Sequence, residues 1–363
     1  MAICALCKIP ENQPLKNNTH FLTDGIIRSA INYDGSNDRD KGFYGEFSSS
    51  PYVDYNFQRK ASENFSDAFG REANNEEINN SKSNTAFSVD NVFCKSCEDK
   101  FTSIETMFQA NISKPLREKG EKNLIAESVL LLENSNLIRV FFLLQIWRTN
   151  ICDSNFKLLD EVSEELRNII WEYSTGNEEI SKKHPLIINY METLGGGIEY
   201  TTNPVGYLSD KNPFIIYMND FIIQFYESEE TLKYTDFYGL NSKENFKAEV
   251  NLNENKFKIN IKSNQNRIEF IRESYIEKDV ANKLKFYKED FKWLWNELFH
   301  IYPTETILNR YINQIIHSDK NLYERYSEKN ISEIKNKFIS ESILENEDLQ
   351  IAFSKFLDNS QNY

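Results

Sequence analysis

Two C-x-x-C pairs constrain this chain more than any other feature: Cys4-Ala5-Leu6-Cys7 and Cys94-Lys95-Ser96-Cys97. Two thiolates at this spacing bend the backbone into a knuckle, and two knuckles give the tetrahedral four-sulfur shell of a closed structural zinc site. Cys4, Cys7, Cys94 and Cys97 are therefore read as ligands of one structural Zn2+ that ties the N-terminus to a distant segment. The competing readings are two unrelated thiol pairs or a thioredoxin-like redox motif. The long separation is no obstacle, because loop closure grows only as the logarithm of length, about 1 kcal/mol more than for an ordinary zinc loop. Zinc binding to four thiolates is worth on the order of 10–16 kcal/mol. The fifth cysteine, Cys152, follows an apolar run and is read as a core residue.

A chain of 363 residues with 40% hydrophobic and 13% aromatic content can bury a sizeable core. Its net charge of −14 excludes nonspecific nucleic-acid binding over the whole surface, because phosphate contact is driven by Lys and Arg. Residues 1–115 are also more acidic than basic, so any nucleic-acid partner must use a local site. Five cysteines in a chain of this size do not suggest a disulfide scaffold, and the cytoplasm is the expected compartment. Met1–Pro10 has two cysteines where a secretory signal would have its apolar run. The most apolar stretch, Leu137–Trp147, is too short to span a bilayer and contains Arg139, so no membrane partner is expected.

Hydrophobic periodicity gives the organisation. A short helix is expected at 21–33, then an insertion rich in Asn, Ser, Asp and Gly over about 34–87, with one helix near 62–71. Val89–Phe93 reads as a strand and Cys97–Asn111 as an amphipathic helix with Phe101, Ile104 and Phe108 on one face. Residues 121–174 read as two or three helices, with Leu124–Leu132 and Leu137–Trp147 strongly apolar and Phe156–Tyr173 amphipathic. Asn212–Tyr226 reads as a hairpin turning at Asn219-Asp220, and Ala248–Ser263 as a second hairpin. Helical period returns near Ile268 and persists, with breaks at Pro303 and Ser318-Asp319. The expected class is α+β. A zinc-stapled, treble-clef-like module over 1–115 is followed at 116–363 by a mostly α-helical domain, with a small antiparallel sheet of hairpins at about 198–263.

The order of Cys4 and Cys7, Thr19-His20, Asn91, Cys94, Cys97 and Glu98 resembles the HNH, or ββα-metal, nuclease family in its zinc-stapled form. The run NVFCKSCEDKFTSIE is also similar to bacterial zinc proteins with a C-x-x-C-E helix. The resemblance covers about residues 1–110. It implies a Mg2+ or Mn2+ ion held between strand and helix start, polarising a phosphate. His20 would be general base, Glu98 a metal ligand and Asn91 a brace for the loop carrying His20. The implied activity is endonucleolytic cleavage of DNA or RNA, with a role in bacterial phage defence. The sequence departs from the family at Thr19, where an acidic ligand is expected, and at Thr23, where proline is common; Asp24 is a substitute carboxylate if the segment coils back. These departures and the acidic charge favour a second reading, a non-catalytic zinc-stapled binding or regulatory protein, with a protein partner engaged by the C-terminal domain. In that reading His20 is a surface or capping residue and Glu98 only complements the helix dipole.

Gly195-Gly196-Gly197 lacks the Lys-Ser/Thr of a phosphate loop. His184, His300 and His317 have no metal-ligand spacing, and the aromatics from Phe286 to Phe299 read as helical core.

Overall fold

The computed structural model describes residues 2–11, 15–31, 43–46, 50–57, 72, 87–119, 124–191, 205–208, 212–320 and 322–360. The helix expected near 62–71 and the glycine run at 195–197 lie outside these. The chain forms two units: Met1–Tyr44 with Phe57–Arg272, and Gly45–Asn56 with Glu273–Tyr363. The division thus falls at Arg272/Glu273 rather than at 115/116. The cause is a shared interior. Leu22, Ile26, Phe93, Phe101 and Phe108 belong to the same core as Phe141, Ile188, Phe221 and Phe257, so the cysteine-bearing segment has no separate core.

The first unit is built on a six-stranded mixed sheet, in place of the small antiparallel sheet expected from the sequence. Its strand order is Ser128–Leu132, Phe257–Lys262, Leu186–Met191, Phe221–Phe225, Phe214–Met218, Val205–Leu208. Only Phe257–Lys262 and Leu186–Met191 run parallel, with Asn260 beside Asn189. Two strands come from stretches whose local pattern points elsewhere. Leu124–Leu132, expected as a helix, supplies the edge strand Ser128–Leu132. Ala248–Ser263, expected as a hairpin, gives a short helix at Phe246–Glu249 and the strand Phe257–Lys262. That strand pairs with Ser128–Leu132 and Leu186–Met191, not with its own neighbours. A short apolar run is ambiguous by periodicity, and here distant pairing decides.

One sheet face, with Ile188, Ile223 and Ile259, joins the main core. Helix Ser135–Cys152 packs there and against helices Lys95–Phe108 and Asp160–Ser174. It is buried around nearly its whole circumference, which is why Leu137–Trp147 shows no polar stripe. The opposite sheet face carries Ile187, which clusters with Tyr226, Phe246 and Val250. Burial on both faces explains why the strands LIINYM and FIIYM show no exposed, polar face.

The hairpin at Asn219-Asp220 forms as expected, but its turn is fully buried. Arg117 makes this tolerable by gripping Asp220 with Nε to Oδ2 at 2.6 Å and Nη2 to Oδ1 at 2.7 Å. Arg117 Nη2 and Asn219 Nδ2 both donate to the Ile26 carbonyl, at 3.1 and 2.9 Å. The sheet is thereby fastened to helix Asp24–Ile31. Among the described residues no helix is long and apolar enough to cross a membrane.

The second unit packs helices Glu277–Phe299, Glu305–Ile316, Glu328–Glu345 and Glu347–Ser360 around Tyr287, Phe291, Trp295, Tyr311 and Phe338. The first helix stops where His300 takes a left-handed conformation, φ 54°. Thr304 opens the next helix by accepting from the Ile307 amide at 3.3 Å. A strap from the N-terminal insertion completes this unit. Lys283 Nζ donates to the Ser50 carbonyl and the Tyr287 hydroxyl to that of Pro51, both at 2.6 Å. Val53 N–H donates to the Tyr326 carbonyl at 3.0 Å, and Tyr52 stacks on Tyr287. Tyr287→Phe is expected to lower the stability of this unit by about 1 kcal/mol, the net value of one such bond. Urea unfolding followed by Trp295 and Trp293 fluorescence measures it.

Candidate metal centre

Cys4 and Cys7 sit in the tight turn between the paired strands Ala2–Ile3 and Pro10–Glu11. Lys8 closes the turn in a left-handed conformation, φ 58°, with its N–H on the Cys4 carbonyl at 3.0 Å. Cys94 is the residue before helix Lys95–Phe108, and Cys97 lies in its first turn. Two short strands, Thr19–His20 and Ser88–Val89, pair antiparallel and bring the halves together. The Cys94 amide donates to Cys4 Sγ at 3.4 Å, and the Ala5 amide to the Val92 carbonyl at 3.1 Å. Lys16 N–H donates to the Phe93 carbonyl at 2.9 Å, and Asn18 N–H to Asp90 Oδ1 at 2.6 Å. From helix Asp160–Ser174, Arg167 Nη1 donates to the Leu6 carbonyl at 2.7 Å and steadies the first knuckle.

The four ligand atoms all lie within 4.8 Å of one another. Tetrahedral zinc with Zn–S of about 2.3 Å places its sulfurs about 3.8 Å apart, so the donor set fits a structural metal such as zinc. Cys4, Cys94 and Cys97 are buried and Cys7 is half-buried. Phe93, Phe101 and Trp147 pack ring to ring in the same core, with Phe93–Phe101 centroids 5.1 Å apart. The thiols do not ionise independently of one another. A hydrogen bond from Cys97 holds Cys4 down to about 4, whereas burial pushes Cys94 up to about 11. Cys97 is raised further, first by donating to Cys4 and then by burial. Without a cation these thiols cannot all ionise together, because each thiolate raises the cost of the next.

His20 is half-buried in its strand, opposite Ser88. Asn91 is exposed in a left-handed turn, φ 63°, and its amide donates to the Lys16 carbonyl at 3.0 Å. Glu98 is in the first turn of helix Lys95–Phe108 and only 7% exposed. Among the described residues the cysteine quartet is the one group of three or more His, Cys, Asp and Glu disposed to hold a metal; His20 and Glu98 belong to no such group. Asp24, the substitute carboxylate, pairs with Arg28 one helical turn on. Thr19 is buried, with no partner for its hydroxyl.

Glu98 belongs to a buried polar cluster. Burial pushes its carboxyl above the ordinary value, against the pull of Arg148 and Lys16. Lys16 Nζ lies 3.7 Å from it. Glu105, two turns along, accepts from Arg148 Nη1 at 2.6 Å and from the Thr23 hydroxyl at 2.9 Å. Gln145 accepts the Thr23 amide at 3.0 Å. The sequence does carry a signal for this cluster. An arginine one residue beyond the apolar run Leu137–Trp147 demands a buried carboxylate, although sequence cannot say which. His184, whose partner is not evident from sequence, is buried with Nδ1 2.8 Å from the Glu227 carbonyl. The chain matches no protein-family model, no curated protein and no solved structure.

Proposed function

We propose that Cys4, Cys7, Cys94 and Cys97 hold one Zn2+ as a structural staple in a non-catalytic binding or regulatory protein. The order knuckle, strand pair, helix supports a treble-clef-like description of the module. The observation that carries the non-catalytic reading is the state of Glu98. A nuclease of this type needs a carboxylate free to meet a hard divalent ion at the solvent edge. Glu98 is buried, with Lys16 on one side and the Arg148–Glu105 pair nearby. The chain's negative charge, −14, also opposes phosphate approach and suits a protein partner.

The HNH-like nuclease reading, with DNA or RNA as substrate and phage defence as setting, draws on one observation. His20 on one strand of a pair, and Glu98 in the first turn of the helix that follows the other strand, keep the relative order that such chemistry uses. One experiment separates the two. Elemental analysis of purified protein is expected to give one zinc per chain. Plasmid DNA and single-stranded RNA with Mg2+ or Mn2+ are expected to remain uncut by the parent. Cutting by the parent that disappears in His20→Ala would overturn the non-catalytic reading.

A further inference from the structure

We infer that the C-terminal helical unit is a peptide-binding module that carries its own ligand: the strap, residues 50–53, fills the site in cis, and an outside segment of the same chemistry docks once the strap has left. The inference rests on the reading of this chain as a binding protein. The strap shares one unit with the helices it touches, yet Lys283 and Tyr287 lie 233 and 236 residues along the chain from the residues they grip. Its docking is therefore a binding event between two separate stretches of polypeptide joined by a tether.

The contacts divide as they do in peptide recognition. Lys283 Nζ and the Tyr287 hydroxyl meet two successive main-chain carbonyls, those of Ser50 and Pro51. The Val53 N–H returns a third main-chain bond, to the Tyr326 carbonyl. Every extended segment offers such groups, so they give attachment without selectivity. Two side chains supply the selectivity. The Tyr52 ring lies on Tyr287, with centroids 5.9 Å apart and planes 21° from parallel, and meets Phe286 edge-on at 6.2 Å. Val53 is 2% exposed and joins the core of the unit. Pro51, between the two gripped carbonyls, has its φ fixed by the ring, which lowers the freedom lost on docking.

The receptor side is built to take a guest carbonyl. Lys283 is itself 2% exposed, and its ammonium lies 3.3 Å from Asp279 one turn back in the helix and 2.6 Å from the Ser50 carbonyl. A buried ammonium requires oxygen partners, so loss of the strap takes away an acceptor that another peptide would restore. Beneath Tyr52 the rings continue, with Tyr287 lying 14° from parallel to Tyr326. The partner that fits is an extended segment with proline, then an aromatic residue, then a β-branched aliphatic one. The tether makes docking of the strap unimolecular, so the strap excludes an equal free peptide until its own anchors are weakened.

Fluorescence anisotropy on the full chain tests this, with a labelled synthetic peptide of residues 50–57 as the probe. A chain with Tyr52→Ala and Val53→Asp keeps the strap but removes both anchors, and it is expected to bind the probe. The parent is expected to bind at least about tenfold more weakly, because its site is already filled. A peptide carrying the same two substitutions is expected to bind neither chain. Helical ellipticity is read alongside; where the altered chain loses helix, the unaltered peptide is expected to restore it. An altered chain that keeps its helices and ignores the probe overturns the inference. So does one that loses helix and is not restored by the peptide. Equal binding by parent and altered chain, or equal binding of both peptides, also overturns it, because the contact is then elsewhere. Zinc content and nucleic-acid cutting, which test the binding-protein reading, are measured without the peptide, so failure of that reading is seen separately.

Discussion

Cys97→Ser is expected to strip the metal from the chain and unfold the segments around it. The zinc contribution, on the order of 10–16 kcal/mol, matches or exceeds the total stability of a typical domain, about 5–15 kcal/mol. Little else holds the N-terminal knuckle. Its strands are two residues each, and its backbone bonds to the rest are few. Loss of zinc would leave Cys4 and Leu6, both fully buried, without a structure to bury them. Because Phe93 and Phe101 join Trp147 in the main core, the damage should spread into the first unit. Elemental analysis, thermal unfolding and limited proteolysis check this, and a strong chelator should reproduce it in the parent. Acid should do the same. Cys94 and Cys97 sit above their ordinary values and must lose protons to bind, so protons compete with the metal and zinc affinity falls as pH falls. A chelator titration at pH 8 and pH 6 should show easier removal at pH 6; no difference would mean that the thiols are not the ligands.

The second large effect is expected at Arg139. Its guanidinium is fully buried in helix Ser135–Cys152 and grips Glu254 with Nε to Oε1 at 3.0 Å and Nη2 to Oε2 at 2.7 Å. It also donates to the carbonyls of His184 at 2.7 Å and Asn251 at 3.0 Å. One side chain thus joins the helix to both ends of the loop system that feeds the sheet. Arg139→Met keeps an unbranched chain of similar length but leaves a buried carboxylate without its counter-charge, with only the Ser135 hydroxyl, among the described residues, still donating to it at 3.1 Å. A loss of about 3–5 kcal/mol is expected, as for other broken buried pairs. The sum is not additive. Arg139→Met with Glu254→Gln removes the stranded charge and should cost less than the two single changes together. Denaturant unfolding of the three variants measures the coupling; strict additivity would show that the pair is not the unit of stability.

The cysteine quartet was legible in the sequence because its signal is chemical and local. Two knuckle spacings name four ligands without any knowledge of the fold. The same holds for helix Ser135–Cys152 and for the hairpin Phe214–Met218 with Phe221–Phe225, each marked by its own apolar pattern and turn residues. What escaped depends on partners far along the chain. Ser128–Leu132 is a strand because Phe257–Lys262 pairs with it, and nothing within Leu124–Leu132 announces that partner. Nothing in the sequence around Glu105 names Arg148 and Thr23 as its partners. The unit boundary escaped for the same reason, since a core shared between residues 22 and 261 leaves no mark at residue 115.

The strap around Pro51 sets an order on how this chain is completed during synthesis. Ser50 and Pro51 emerge from the ribosome early, yet their partners Lys283 and Tyr287 follow 233 and 236 residues later. The C-terminal helices therefore close on a piece of chain that has waited through the making of nearly everything between. A fragment beginning at Glu273 would lack that piece, and a fragment ending at Arg272 would carry it with nothing to bind. Cutting the polypeptide between Arg272 and Glu273 would thus leave the C-terminal helices incomplete.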